Sequence, residues 1–492
     1  MRPIVIAISV LAASCAVGPD FKPPAAPAVT GFTREKLSPD VGTAGTPQRF
    51  VEGMDIPGQW WRLFHSEALD RLIRQAIATN PNLTAAQAAL RQAWENVYAQ
   101  RGSYFPTIGA ELNASRNLTP TGALSPASAS GNPYYSLITP QLNVSFVPDV
   151  FGANRRAVES LTAQAENQRF QLEATYLTLS ANIVAGVVQE ASLRGQIAAT
   201  EETIQIETHS LAILRRQLDL GQAAGADVAA QEAVLAQTQL TLPPLRKQLA
   251  QQRDALTALA GRYPSEEIAA TFHLDDLTLP ADLPVSLPAK LVQQRPDIRA
   301  AEETLHAASA QIGQAVAARL PQITLSANIG NSANNAGQLF TPGTNFWTLA
   351  GGLTAPIFAG GTLLHKQRAA QAGFDQAAAQ YRATVITAFQ NVADALRALQ
   401  ADADALTAAT ASEQAAARSL AIVQRQLDLG QIAYLSLLNA QNTFQQARVA
   451  LVQAEANRLA DTAGLFQALG GGWWNRADGG PAGKVAARDT SP

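Results

Sequence analysis

The stretch SLAILRRQLDLGQ at residues 210–222 returns as SLAIVQRQLDLGQ at residues 419–431, with eleven of thirteen letters unchanged. Self-similarity at a fixed spacing makes a chain two copies of one unit, so this pair decides the fold. The match extends well beyond the quoted residues. NPNLTAAQAALRQAWENVYAQRGSYFPTIGAELNAS (80–115) parallels RPDIRAAEETLHAASAQIGQAVAARLPQITLSANIG (295–330), with Pro81 and Pro106 opposite Pro296 and Pro321. VPDVFGANR (147–155) parallels APIFAGGTL (355–363), and Asn182 falls opposite Asn391 at the 209-residue spacing of the opening pair. RQLDLG itself reads as a helix end. The apolar stripe stops at Leu220 or Leu429, and Gly221 or Gly430 follows where a left-handed cap wants no Cβ. Asp227 and Ser436, at equivalent positions a few residues on, are suited to N-cap the next helix. The repeat therefore predicts two hairpin tips per chain, at about 221–226 and 430–435.

Around these tips the apolar residues step by three and four. Leu172, Tyr176, Leu179, Ile183 and Val187 in the first copy, and Val385, Phe389, Val392, Leu396 and Leu399 in the second, mark helix faces. The pattern runs without Pro from about Asn154 to Leu220, on the order of 100 Å of helix. Helices of that length bury their stripe only by packing as coiled coils with one another or with other chains. Between the shorter and longer helices of each copy the period becomes two. Four strands are predicted, at about 106–117, 136–147, 321–331 and 345–357, joined in pairs by long, turn-rich and exposed loops. Such strands match transmembrane β-barrel segments, although half-buried strands of a soluble sheet alternate in the same way. Four strands cannot close a membrane-spanning barrel, so several chains would share one. Each long helix begins at its strand and runs away from it, which predicts strands at one end and hairpin tips at the other.

Composition agrees with this reading. Hydrophobic residues make up 47% of the 492 residues but aromatics only 6%, which suits long helices packed through small side chains. A net charge of -3 with no dense Lys/Arg run argues against nucleic acid as a partner. No segment is apolar for the 18 or more residues that a membrane helix needs. The start, MRPIVIAISVLAASCAVGPDF, has the charge, short apolar core and small residues of an export signal over residues 1–14. Cys15, the only cysteine, stands where a lipoprotein peptidase would cut and a lipid would be attached; the alternative is an ordinary signal peptide with an incidental Cys. Leu11 lies four residues before Cys15 rather than the usual three, and Ala16 is not the Asp that retains lipoproteins at the inner membrane. The remaining divisions are a lipidated N-terminal segment 15–65, repeat one 66–270, a linker 271–288, repeat two 289–470 and a tail 471–492 whose end is expected to be disordered.

Several stretches resemble the TolC-like outer-membrane factors, in particular the NodT-type efflux lipoproteins. They are CAVGPDFKPP, QWWRLFHSEALDRLIRQAIATNPNLTAAQAALRQA, PDVFGANRR, RPDIRAAEETLHAASAQIGQA and QALGGGW, in order over residues 15 to 474. The resemblance implies a mixed α and β membrane protein. As a homotrimer it would share a 12-stranded outer-membrane β-barrel, four strands per chain, continuous with a periplasmic α-helical coiled-coil barrel. It further implies a passive export conduit for small molecules in a tripartite efflux system. Its partners would be a periplasmic adaptor (membrane fusion) protein, an inner-membrane pump of the resistance-nodulation-division type and outer-membrane lipid. Type I protein secretion on the same fold is one alternative; a lipid-anchored periplasmic scaffold without a pore is another, against which the four strands speak.

In that family the periplasmic entrance lies at the hairpin tips, often ringed by carboxylates from the second hairpin. Aligning on QLDLGQIAYLSLLNAQ puts Ser436 and Asn439 at those positions, and neither is acidic, so cation block is expected to be weak. Ser436 is thus a candidate for the gate, for a helix cap, or for both. Asp227 holds the corresponding first-repeat position, where capping is the plainer role, and Tyr434, Gln431 and Arg425 are candidates for the same tip. Arg295, Arg299, Glu302 and Glu303 crowd like a phosphate or carboxylate clamp but read better as a helix opened by Pro296, with Asp297 at its positive end and Arg299 paired with Glu302 or Glu303 along one face. Asp402 and Asp404 read as a solvated face, and Trp60, Trp61, Trp473 and Trp474 as packing of the terminal segments on the helices. Catalysis has little support. The five histidines show no metal-ligand spacing, no nucleophile or nucleotide motif is complete, and no cofactor is expected beyond a lipid on Cys15.

Overall fold

A computed structural model of the chain describes residues 16–35, 38–42, 47–118 and 134–476. The signal peptide, Cys15, most of the first hairpin loop and the end of the tail lie outside the described residues. In chain order the elements are β1 (Asp40–Val41), β2 (Gln48–Glu52), α1 (Glu67–Thr79), α2 (Pro81–Arg101), β3 (Thr107–Leu118), β4 (Tyr134–Phe146), α3 (Ala153–Asp219), α4 (Gly225–Leu259), β5 (Asp282–Val285), α5 (Pro288–Gln294), α6 (Pro296–Ala317), β6 (Gln322–Asn331), β7 (Asn345–Thr354), α7 (Thr362–Asp428) and α8 (Tyr434–Ala468). Helices α3 and α7 each have 67 residues, and α4 and α8 each have 35. The duplication thus extends to the lengths of the elements.

Contacts divide the chain into two compact units. The first comprises residues up to 24, 91–167 and 301–381. It holds a four-stranded sheet in the order β3-β4-β6-β7, antiparallel throughout. Asp149 starts the long helix that follows β4: its carboxylate oxygens accept from the amides of Asn154 and Arg155, both at 2.9 Å. Gly152, at φ +79°, makes the turn that lets it reach back.

The second unit comprises residues 25–90, 168–300 and from 382 onward. A small mixed sheet, β1-β2-β5, pairs β2 with β5 in parallel. Ser66 caps α1, whose buried Leu69, Leu72, Ile73 and Ala76 keep helical spacing. Asn80 closes the joint to α2 by accepting from the amides of Asn82 and Leu83 while its Nδ2 donates to the Leu259 carbonyl. Trp60 and Trp61 are fully buried, with Trp60 stacked 5.4 Å from Phe466, and Trp473 donates to the Gln294 carbonyl. Trp61 donates to Asp70 Oδ1 at 3.0 Å, and these packed rings fix the terminal segments here.

The helix start at RPDIR is structural. Pro296 opens α6, Arg295 pairs with Asp297 at 2.6 Å and donates to the Ala468 carbonyl, and Arg299 lies 5.1 Å over the Phe170 ring. The solvated-face reading of Asp402 and Asp404 is corrected for the first of the pair. Asp404 is exposed, but Asp402 is half-buried against Asp461 and Arg458, one helix away on α8. The sequence showed two acids separated by one alanine; it did not show which of them faces α8.

Candidate functional site

Alternation along each strand of the first unit becomes two distinct faces because the registers align. Ile108 sits across from Val144, Leu142 from Ile329, Phe146 from Leu325, Ile329 from Trp347 and Ile323 from Leu353. These apolar residues therefore land on one face of all four strands. The other face carries Glu111, Asn113, Gln141, Asn143, Asn328 and Thr348, where Glu111 accepts from the side chains of Gln141 and Asn143 at 3.1 Å. The apolar face is bare: Ile108, Leu112, Trp347, Leu349 and Leu353 are between 69% and 75% exposed. A contiguous apolar face of this kind marks contact with lipid or another chain, and a polar opposite face is that of a barrel lumen. β3 and β7 also end the sheet with unpaired edges. No described helix is long and apolar enough to cross a membrane.

In the second unit the repeated stretches form the expected caps. Gly221 and Gly430 adopt φ +71° and +70°. The next amides return to carbonyls five residues back, Gln222 to Gln217 at 2.8 Å and Gln431 to Gln426 at 2.9 Å. The helix restarts earlier than the sequence suggested. Ala224 and Ala433 are the N-caps, with extended backbone and no side-chain bond, so Asp227 and Ser436 occupy the third position of α4 and α8. Their N-cap assignment is corrected: the turn geometry after the glycine, rather than a capping side chain, sets the start. Asp227 still favours the positive end of α4 from the first turn.

Ser436 and Asn439, three residues apart on one helical face, are both exposed, as are Arg425 and Gln431. Tyr434, the first residue of α8, is placed differently. Its ring is half-buried and packs against Leu211, Leu214 and Val228 of the first hairpin and Leu420, Leu437 and Ala440 of the second. Its hydroxyl donates to Gln231 Oε1 at 2.8 Å, and Gln231 Nε2 donates to the Glu207 carbonyl at 3.1 Å. Burial, then the charges of Asp227 and Glu207, push the phenol up to about 12. Beside it Thr238 donates to Glu207 Oε1 at 3.0 Å, and Gln441 donates to Ser210 at 3.2 Å. Burial holds the Glu207 carboxyl above the usual range against that one hydrogen bond. Tyr434 is thus a rivet between hairpins. The sequence reading missed Glu207, Ser210, Gln231 and Gln441. Its usable signal was polar residues standing in the apolar stripe, as in Val228-Gln231-Leu235-Thr238.

A one-sided apolar, antiparallel sheet in one unit and paired helical hairpins in the other are the parts of an outer-membrane channel protomer. The chain matches the family described as outer membrane efflux protein over residues 72–262 and 287–471, and it belongs to that family. It is 29% identical to a toluene efflux pump outer membrane protein, TtgC, of Pseudomonas putida over 481 residues, covering 97% of this chain and 96% of that protein. It is 28% identical to the pyoverdine export outer membrane protein OpmQ of Pseudomonas aeruginosa over 423 residues, 86% of this chain and 89% of that one. Among solved structures, the outer-membrane channel OprN superposes with a TM-score of 0.83 at 25% identity, over 93% of this chain and 100% of that chain. The protein is an outer-membrane channel component of an efflux pump, with a periplasmic extension. A pore-less helical scaffold, the rival reading, has no use for the bare apolar sheet face.

Proposed function

We propose that the chain works as a homotrimer whose three sheets close one barrel, the β7 edge of each copy pairing with the β3 edge of the next. β3 and β7 run in opposite directions, so this pairing continues the antiparallel order. The apolar face then meets lipid and the Glu111 face lines the lumen. This continuous face with two open edges is the observation that carries the reading. The conduit is passive: small molecules are delivered by an inner-membrane pump of the resistance-nodulation-division type through a periplasmic adaptor, and a lipid on Cys15 adds an outer-membrane anchor. The hairpin tips form the periplasmic gate. Ser436 and Asn439, exposed on one face of α8, present the polar constriction, Tyr434 couples the two hairpins behind it, and Asp227 steadies the first. With no carboxylate at Ser436 or Asn439, three copies of this face bind cations weakly.

The test is the mass and planar-bilayer conductance of full-length protein extracted in detergent from outer membranes. A conducting trimer is expected, with conductance raised by Ser436→Ala or Asn439→Ala. A monomer without conductance would overturn the assembly. A conducting trimer indifferent to both substitutions would overturn only the gate.

A further inference from the structure

Three stretches singled out by the sequence, VGPDF, GANRR and SAQIGQA, meet in the first unit around the strap Ala16–Phe21. The Val17 amide donates to the Phe151 carbonyl at 3.1 Å. Arg156, buried, donates to the carbonyls of Val17 and Gly18 at 3.2 and 3.4 Å, to Asp20 Oδ1 at 2.7 Å and to Glu159 Oε2 at 2.8 Å. Close backbone approach explains the glycines. A Cβ on Gly18, at φ +96°, would run into the backbone of Gly313, and one on Gly152 would stand 2.7 Å from Ala16 Cα. At the other end of the strap Phe21 stacks on His306, with ring centroids 4.3 Å apart and planes 12° apart.

His306 closes the ring of contacts. Its Nε2 lies 3.1 Å from Glu159 Oε1 and its Nδ1 lies 3.3 Å from Glu303 Oε2. Both ring nitrogens thus face carboxylates, which only accept, and only the imidazolium has two N–H groups to give them. The charged ring also strengthens the stack on Phe21. The groups around it are Glu159 and Arg156 from α3, Asp20 from the strap and Glu303 from its own helix α6. From α7 come the uncharged Phe374, Ala377 and Ala378, packed with Phe21 on Leu305 and Ala308. We propose that residues 16–21 are a proton-dependent strap, clasped between α3 and α6 while His306 is an imidazolium and loosened when it loses its proton.

The hydrogen bond to Glu303 foremost, and that to Glu159, raise His306 above its ordinary 6.5 against the cost of burial. The clasp is therefore at full strength below 6.5 and is lost as pH rises through the raised value. The strap is the first described segment after Cys15, so its release lengthens the tether between residue 15 and the fold. This inference stands apart from the gate and holds whether or not Cys15 carries a lipid.

Hydrogen exchange of the full-length protein in detergent tests it, reading the protection of the Val17 amide relative to its intrinsic rate. Wild-type protection is expected to fall about tenfold or more between pH 6 and pH 9. His306→Gln should hold it at the low value throughout, while the α3 amides from Ile183 to Val187 stay protected and report an intact fold. Flat wild-type protection, or an undiminished pH dependence in His306→Gln, overturns the proposal. Should that variant not fold, the imidazole of the wild-type protein is titrated directly by NMR: a value above 6.5 supports the strap, and one at or below it overturns it.

Discussion

The hairpins α3–α4 and α7–α8 have the same element lengths and the same glycine caps, yet they are locked by different charges in different places. In the first, Glu190 is fully buried between Arg194 at 2.8 Å and Arg253 at 2.7 Å. The equivalent residues of the second hairpin, 209 positions on, are Leu399 and Thr462, buried without charge. There the buried cation is Arg458, whose counterpart in the first hairpin is Leu249. The buried Glu207 likewise corresponds to Ala416. Each lock reaches a segment that the other copy lacks. Arg253 also binds Glu267 and the carbonyls of Ile268 and Ala270 in the stretch that leads into the linker, while Arg458 donates to Gln48 Oε1 and the Val41 carbonyl near the N-terminus. Duplication hands on the helical period and its caps; the Arg253 and Arg458 locks stand where a copy meets something unrepeated.

The comparison breaks most visibly at Arg253. Arg253→Met leaves Glu190 buried with one partner fewer and should cost about 3–5 kcal/mol, read from the denaturant midpoint of the detergent-solubilised protein. Glu190→Leu combined with Arg253→Thr, which copies the second hairpin, should cost less than half as much, and an equal cost would refute the equivalence. Arg458→Met should lose about 1–3 kcal/mol by orphaning the Val41 carbonyl and Gln48.

Acidity sharpens the same contrast. Burial, reinforced by the neighbouring Asp461 carboxyl and opposed by Arg458, pushes Asp402 up to about 7. The folded state then holds a proton that the unfolded chain releases near 3.8, so stability falls as pH rises between those values and is level above them. Denaturation profiles at pH 5 and pH 8 should differ in the wild type, and Asp402→Asn should shrink the difference; Glu173 and Glu207 on the first hairpin, which burial also raises, and His306 keep the rest of it in place. At the tip, Tyr434→Phe removes one hydrogen bond between hairpins, worth about 1 kcal/mol, and should raise bilayer conductance if the rivet restrains the gate. Ser436→Ala and Asn439→Ala come last, with stability changes within about 0.5 kcal/mol, since both side chains are exposed.

Much of this was legible one residue at a time. Strand starts expected at 106 and 321 lie at Thr107 and Gln322, and the glycine caps stand where the apolar stripes stop. The misreadings share one cause. Asp227 and Ser436 have the chemistry of N-caps, but the turn after each glycine places an alanine there instead. Asp402 and Asp404 look alike in sequence, yet only Asp402 meets α8. That Tyr434 joins the two hairpins could not be read locally, because its partners Gln231 and Leu214 lie about 200 residues upstream.

By itself the sequence determined the duplication, the switch from period two to helical period and the capping glycines, because these depend on neighbours within a few residues. The tertiary structure alone decided which face of the sheet stays bare, which polar side chains are buried, and which cations hold the N-terminal segment and the stretch before the linker. Those outcomes depend on contacts such as Arg458 with Val41 or Trp60 with Phe466, made across some 400 residues of chain, and no local period encodes them.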